Sequence, residues 1–424
     1  MPLFIEDKKV EKISGPVSMN MLYPSSTYLK EFPYAPIFIL FGDIHFGNEK
    51  YCEKVDKDRK PVENNYSVFD INFLSLLSDA VKNKGNEEEK EKKETDDIID
   101  FYLEGGDFHV KTIEKSRSWP PDTPMHKLWQ LFNGCYYNER ISYRTPHPTC
   151  SKIKNIRWQS ADIRFFDKRT LSLFNIFHKT GNSISKTYNL FQKLFKAQKE
   201  RILADAILKE DVKREIIGNP LIKKQLDKII IPKCKKKILE YFDSYIEKFF
   251  ANYKDDVIDE INNFNFLVRE YLSSKIYSYR FQEIIIEIEN TDDEIMENYF
   301  KFLLLKDALL LDLYTLARSY KIMCKNANIH PNSRYKDPPK PLIVICYFGL
   351  RHIYTMLKFL LDDDKYLQSI TEDNDMKYIL DELDKEIDII PNRCIRILTR
   401  TKLDKQINDL RESRKKYEAE IPLI

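Results

Sequence analysis

The chain has 424 residues, enough to bury a sizeable core and, on length, to form two or three domains or one elaborated α/β domain. With 42% hydrophobic and 32% charged residues it reads as a soluble globular protein, and a net charge of +2 gives no case for a nucleic-acid partner or an anionic membrane surface. Seven cysteines, none in a Cys-x-x-Cys pair, exclude a zinc ribbon or a thioredoxin-like motif and fit reduced thiols in a cytoplasmic setting.

In chain order, residues 1–36 mix short polar and apolar pieces with Pro16, Pro24, Pro33 and Pro36, which predicts an irregular arm along a sheet. The start has no basic region followed by an apolar core, so no secretory signal is expected. Ile37-Phe38-Ile39-Leu40-Phe41 then runs into Gly42-Asp43-Ile44-His45. An unbroken apolar run of this length predicts a strand buried on both faces, with Gly42 ending it in a tight turn. Ser67 and the spacing of Phe69, Phe73, Leu76, Leu77 and Ala80 predict a helix, and residues 83–97 are an almost wholly charged loop. Ile98 to Leu103 is the second strand, delivering Glu104 into Gly105-Gly106-Asp107. A strand–helix–strand crossover places Glu104 at the same sheet edge as His45. Met125 to Tyr137 reads as a helix and Ile156 to Arg164 as a third strand, ending at Asp162 and Arg164.

From about residue 170 the strand signals fade and helical spacing takes over, as in Ile238, Leu239, Phe242, Tyr245, Ile246 and Phe249. Breaks fall at Gly218-Asn219-Pro220 and Asn290-Thr291-Asp292-Asp293. Pro341 to Phe348 is a further buried strand, followed by Gly349-Leu350-Arg351-His352 and a helix to Leu361. Arg351, His352 and Lys358 interrupt this apolar run, so no membrane span is predicted. Helices over Met376 to Glu386 and Thr401 to Glu420 flank an edge strand at Cys394 to Leu398. The expected fold class is α/β, a central mostly parallel sheet with flanking helices interrupted by a large all-α insertion. Its parts are an arm (1–36), the first half of the core (37–169), the insertion (170–335) and the second half with C-terminal helices (336–424).

Strand ends that carry Asp43 with His45, Glu104 with Asp107, Asp162 with Arg164, and His352 make one site plausible if they converge. Two imidazoles and a carboxylate, His45, His352 and Glu104, suit a divalent metal such as Mn, Co or Zn with an open position for water. Without metal, Glu104 serves as general base, the histidines move protons, Asp43 assists, and Arg164 holds developing negative charge. The competing reading makes each a satisfied strand-end group. His109 and His126 are weaker candidates, as are Cys52 and Cys346, beside which no base is placed.

The two Gly-x-x-His motifs, with Glu104 between them and Asp162-Ile163-Arg164 as an Asp-x-Arg strand, resemble the TraB/TIKI superfamily, which also contains erythromycin-esterase-like and ChaN-like proteins. The resemblance covers roughly residues 37–165 and 341–362. It implies an α/β fold with helical decoration and, in some branches, metal-dependent peptidase or esterase activity on a peptide or small-molecule substrate. Asp43-Ile44-His45 with Gly106-Asp107 also resembles the first two blocks of calcineurin-like metallophosphoesterases, whose later His-rich blocks are missing. The lysine-rich, glycine-poor style is similar to that of large DNA virus proteins. That leaves a virion-associated, non-catalytic interaction protein, with partners on the helical insertion, as the other class of function.

Overall fold

The computed structural model describes residues 4–5, 8–9, 12–43, 50–51, 65–67, 97–104, 128, 131, 155–161, 163, 213, 216–229, 232–251, 255–273, 279, 283, 286–287, 290–323, 340–362, 365–373, 392–396 and 407–416. The chain divides into two compact units, one of residues 1–161, 228–230 and 318–424, the other of 162–227 and 231–317. The described strands, all in the first unit, are β1 (Phe4–Ile5), β2 (Lys8–Lys9), β3 (Lys12–Ser14), β4 (Ser18–Pro24), β5 (Ile37–Asp43), β6 (Lys50–Tyr51), β7 (Asn65–Ser67), β8 (Ile98–Leu103), β9 (Ile156–Ser160), β10 (Pro341–Gly349), β11 (Tyr366–Asp373) and β12 (Asn392–Arg396). The described helices are α1 (Ser26–Glu31), α2 (Pro220–Leu226), α3 (Pro232–Phe250), α4 (Asp255–Ser273), α5 (Asp293–Met323) and α6 (Leu350–Leu361), with a further helical stretch at 407–416.

A mixed six-stranded sheet in the order β11-β4-β5-β10-β8-β9 forms the core of the first unit. β5, β10, β8 and β9 run parallel, and β4 is antiparallel to both β5 and β11. Every residue of β5 and β10 is buried, as unbroken apolar runs require of interior parallel strands. β10, which arrives more than two hundred residues after β8, lies between β5 and β8, so the two strands joined by the predicted crossover are not neighbours. The α/β class and the mostly parallel sheet hold in this form. β4 lies within the stretch read as an irregular arm, and β11 was not foreseen. β9 stops at Ser160, short of the predicted Arg164. β12 pairs with β3 on one side and β6 on the other, so it is an interior strand of a four-stranded sheet and not the expected edge. Ser67, the expected helix cap, closes β7. The predicted helix at 376–386 lies outside the described residues.

One face of the sheet carries an aromatic cluster that docks the helices. Phe38 of β5 and Tyr28 of α1 each lie 5.4 Å from the Tyr366 ring, and Tyr320 of α5 lies 5.5 Å from Phe359 of α6 and 6.3 Å from Phe32. Such offset and edge-on pairs add about 0.5–1.5 kcal/mol each beyond the area they bury. At the opposite end of the strands, Arg414 Nη2 donates to the Pro341 carbonyl (2.7 Å) and the Tyr34 carbonyl (3.0 Å), fixing where β10 begins.

In the second unit the described elements are helices. Asn219 caps α2, its side chain accepting from the Leu221 amide at 3.0 Å, and Pro220 occupies the first turn. The predicted break at residues 290–293 separates α5 from what precedes it, with Asp292 accepting from the Glu294 amide at 2.7 Å. Ile238, Phe242 and Ile246 form the buried stripe of α3, and Phe264 meets Tyr299 edge-on at 5.2 Å.

Gly42 departs from its expected role. It lies inside β5 in ordinary extended backbone, opposite Ser18 in β4, and does not turn the chain. A Cβ there would come within 2.6 Å of Leu350 Cδ1 and closer still to Ser18 Oγ. The residue is small so that β4 and the first turn of α6 can close over the strand end. Gly42→Ala is expected to destabilise the fold by about 1–3 kcal/mol in urea unfolding. Adding Ser18→Gly is expected to recover part of that loss, and no recovery would place the strain elsewhere.

Candidate functional site

β5, β8 and β10 are parallel, so their carboxyl ends share one edge, where α/β sheets place their chemistry. The register sets Asp43 beside Gly349, and the Glu104 amide donates to the Tyr347 carbonyl at 3.2 Å. Gly349 is both the last residue of β10 and the N-cap of α6, and it has no side chain to cap with. Glu104, from the neighbouring strand, supplies what is missing: its Oε2 accepts the Gly349 N–H at 2.5 Å. An anion at a helix N-terminus is favoured by the helix dipole and by charge-assisted bonding. The other oxygen, Oε1, lies 3.4 Å from His352 Nε2, in the first turn of the same helix. Phe348 closes the far side of the imidazole, edge-on at 6.5 Å.

Burial grades across this pair. The Glu104 side chain is 3% exposed and that of His352 9%, so both groups are buried, the carboxylate more completely. Asp43 is buried. A nearly sealed carboxylate holding a less sealed imidazole orients the ring and stabilises it when protonated.

Of the sequence-predicted residues, the structure brings together Glu104 and His352 and places Asp43 at the same edge. His45, Asp107, His109, His126, Asp162 and Arg164 lie outside the described residues. Among the described residues no group of three His, Cys, Asp or Glu side chains could hold a metal ion. Both Glu104 oxygens are engaged by Gly349 and His352, so the described part of the His45, His352 and Glu104 set does not by itself form a metal centre. Cys346 is buried in the middle of β10, away from any nucleophilic role, and Trp158 packs on Phe101 at 5.0 Å as core.

Sequence reasoning passed over a second polar cluster. Asp100 in β8 faces Arg157 in β9 in register, and the guanidinium bonds it at 2.6 and 2.8 Å. The signal was present: Asp100 is a lone charge inside an otherwise apolar strand, and Arg157 lies between Ile156 and Trp158 in the next.

Comparison with protein-family models, with curated proteins and with solved structures returns no match for this chain.

Glu104→Ala strips the buried Gly349 N–H of its acceptor and is expected to cost about 1–3 kcal/mol of unfolding free energy. Glu104→Gln keeps an acceptor and is expected to cost less. Equal losses in urea unfolding would mean that the amide bond contributes nothing.

Proposed function

We propose that the chain is a hydrolase of peptide or ester bonds whose acid–base group is the Glu104–His352 pair. What carries the reading is the 3.4 Å contact between a buried carboxylate and a buried imidazole at the carboxyl ends of three parallel strands. On this reading the imidazole takes a proton from the attacking water and returns it to the leaving group, while Glu104 holds the ring and balances the imidazolium charge. Asp43 and Arg164 assist the site, Arg164 by meeting negative charge on the substrate carbonyl oxygen. His45 is the residue through which a metal would enter, with His352 and Glu104 as the other donors. A bound Mn, Co or Zn ion would polarise a carbonyl and acidify water. The substrate is then a peptide or small molecule, and residues 170–335 are an insertion in the core that offers surface to protein partners. The protein works in the cytoplasm, or in host cytoplasm and virion if the gene is viral.

A second reading draws on the other oxygen of the same carboxylate. Glu104 latching Gly349 suits a structural or interaction protein that keeps the fold without turnover.

Purified protein assayed on peptide, ester and phosphoester panels, with metal analysis alongside, separates these. Peptide or ester turnover that falls about 100-fold or more in Glu104→Gln and in His352→Asn, with the fold retained, supports the hydrolase. Stoichiometric Mn, Co or Zn lost in the His45→Ala, His352→Ala double variant adds the metal. No turnover and no metal supports the non-catalytic reading. Phosphodiester cleavage alone, lost in Asp107→Asn, supports a phosphoesterase.

A further inference from the structure

Residues 223–237 carry seven lysines and one acid, Asp227, in a chain whose total charge is only +2. The near-balanced total hides a local concentration of positive charge. In the second unit, Lys223 and Lys224 stand in the last turn of α2, and Lys233, Lys235, Lys236 and Lys237 in the first two turns of α3. The Lys235 amine bonds the Asp227 carboxylate at 3.1 Å, which sets the end of α2 against the start of α3 and gathers both lysine groups at one corner. Lys223, Lys224, Lys233 and Lys236 are exposed there, and Lys237 is half-exposed.

Helix stability does not call for this arrangement. The first turn of α3 holds no acid, and its lysines stand at the positive end of the helix dipole. Lys233, Lys236 and Lys237 share one side of α3, away from the buried stripe of Ile238, Phe242 and Ile246, so they cover no core. The acids of α3 lie further along the helix. Asp243 and Glu247 face Lys213 at 3.4 and 3.5 Å, and Glu240 holds Lys236 at 3.3 Å with both side chains largely exposed. Such an exposed pair is screened by solvent and readily exchanged for another anion. Lys223, Lys224 and Lys237 have no acidic partner among the described residues.

We propose that this corner, formed by Lys223, Lys224, Lys233, Lys236 and Lys237, binds the phosphate backbone of double-stranded nucleic acid without regard to sequence. Lysine meets a phosphate as a point charge, whereas reading a base edge calls for a planar fork. Residues 219–240 contain no arginine and no aromatic residue, so nothing there reads guanine bidentately or stacks on an unpaired base. That favours the duplex backbone over single strands. None of the described Leu and Ile side chains in that stretch is exposed, so a membrane surface finds no apolar anchor. A protein interface is disfavoured too, since its core depends on apolar and aromatic residues and is depleted in lysine.

Fluorescence anisotropy of two labelled DNA duplexes of unrelated sequence, titrated with the full chain, tests this. The expected result is equal affinity for both duplexes, falling with salt at a log–log slope of about −4 as the lysines displace counterions. Lys236→Gln with Lys237→Gln is expected to weaken binding about tenfold at about 50 mM salt and to flatten the slope by about 2. Lys223→Gln with Lys224→Gln is expected to do the same, and circular dichroism checks that each variant keeps its fold. Lys415→Gln, at an exposed lysine of the first unit, is expected to change neither quantity. No duplex binding at about 50 mM salt overturns the site. Losses as large in Lys415→Gln as in the double variants overturn the assignment to this corner. Tighter binding to phosphatidylcholine vesicles with about 30% phosphatidylserine than to either duplex overturns the choice of nucleic acid.

Discussion

The position of β10 is the constraint on which the rest depends. It enters late in the chain, yet it is hydrogen-bonded on both sides by strands from the first quarter. Nothing local in the sequence can drive that pairing. The drive is burial: nine successive buried residues, flanked by β5, buried throughout, and by β8, buried from Ile99 to Leu103. Once β10 is between them, the ends of all three strands are level, and α6 begins at the edge where Glu104 emerges. The loop-closure cost of bringing such distant segments together grows only slowly with length.

From that placement follows the double use of one carboxylate. Glu104 directly follows β8, caps a helix whose N-cap is a glycine, and holds the imidazole at the third position of that helix. Gly42 matters through its lack of a side chain, which lets Ser18 and Leu350 close in. Gly42 and Gly349 both sit in ordinary backbone conformations.

The strand content of this edge was legible because fully buried strands write themselves as continuous apolar runs. β8 was read with its observed bounds, and α6 ends at the predicted Leu361. The meeting of Glu104 with His352 was legible as polar groups at strand ends. Their hydrogen-bonding partner was not, because a backbone N–H carries no sequence signal. β4 and β11 escaped notice since each mixes polar and apolar residues: Asn20 is buried inside β4 and Gln368 lies within β11. The order of strands also escaped, since adjacency in a parallel sheet is set by crossovers that the sequence does not spell out. In the helical unit the breaks were readable because Asn219-Pro220 and Asp292 are capping chemistry, which acts locally.

The two polar clusters of the first unit stand in contrast. At the strand ends a carboxylate and an imidazole neutralise each other when the ring is protonated, and between β8 and β9 Asp100 is held by the Arg157 guanidinium. The central claim is that Glu104 and His352, 248 positions apart in the chain, act as one energetic unit. A double-mutant cycle of Glu104→Gln and His352→Asn, read by urea unfolding, measures that directly. The account predicts a coupling of about 1 kcal/mol or more, and losses additive within about 0.5 kcal/mol would contradict it.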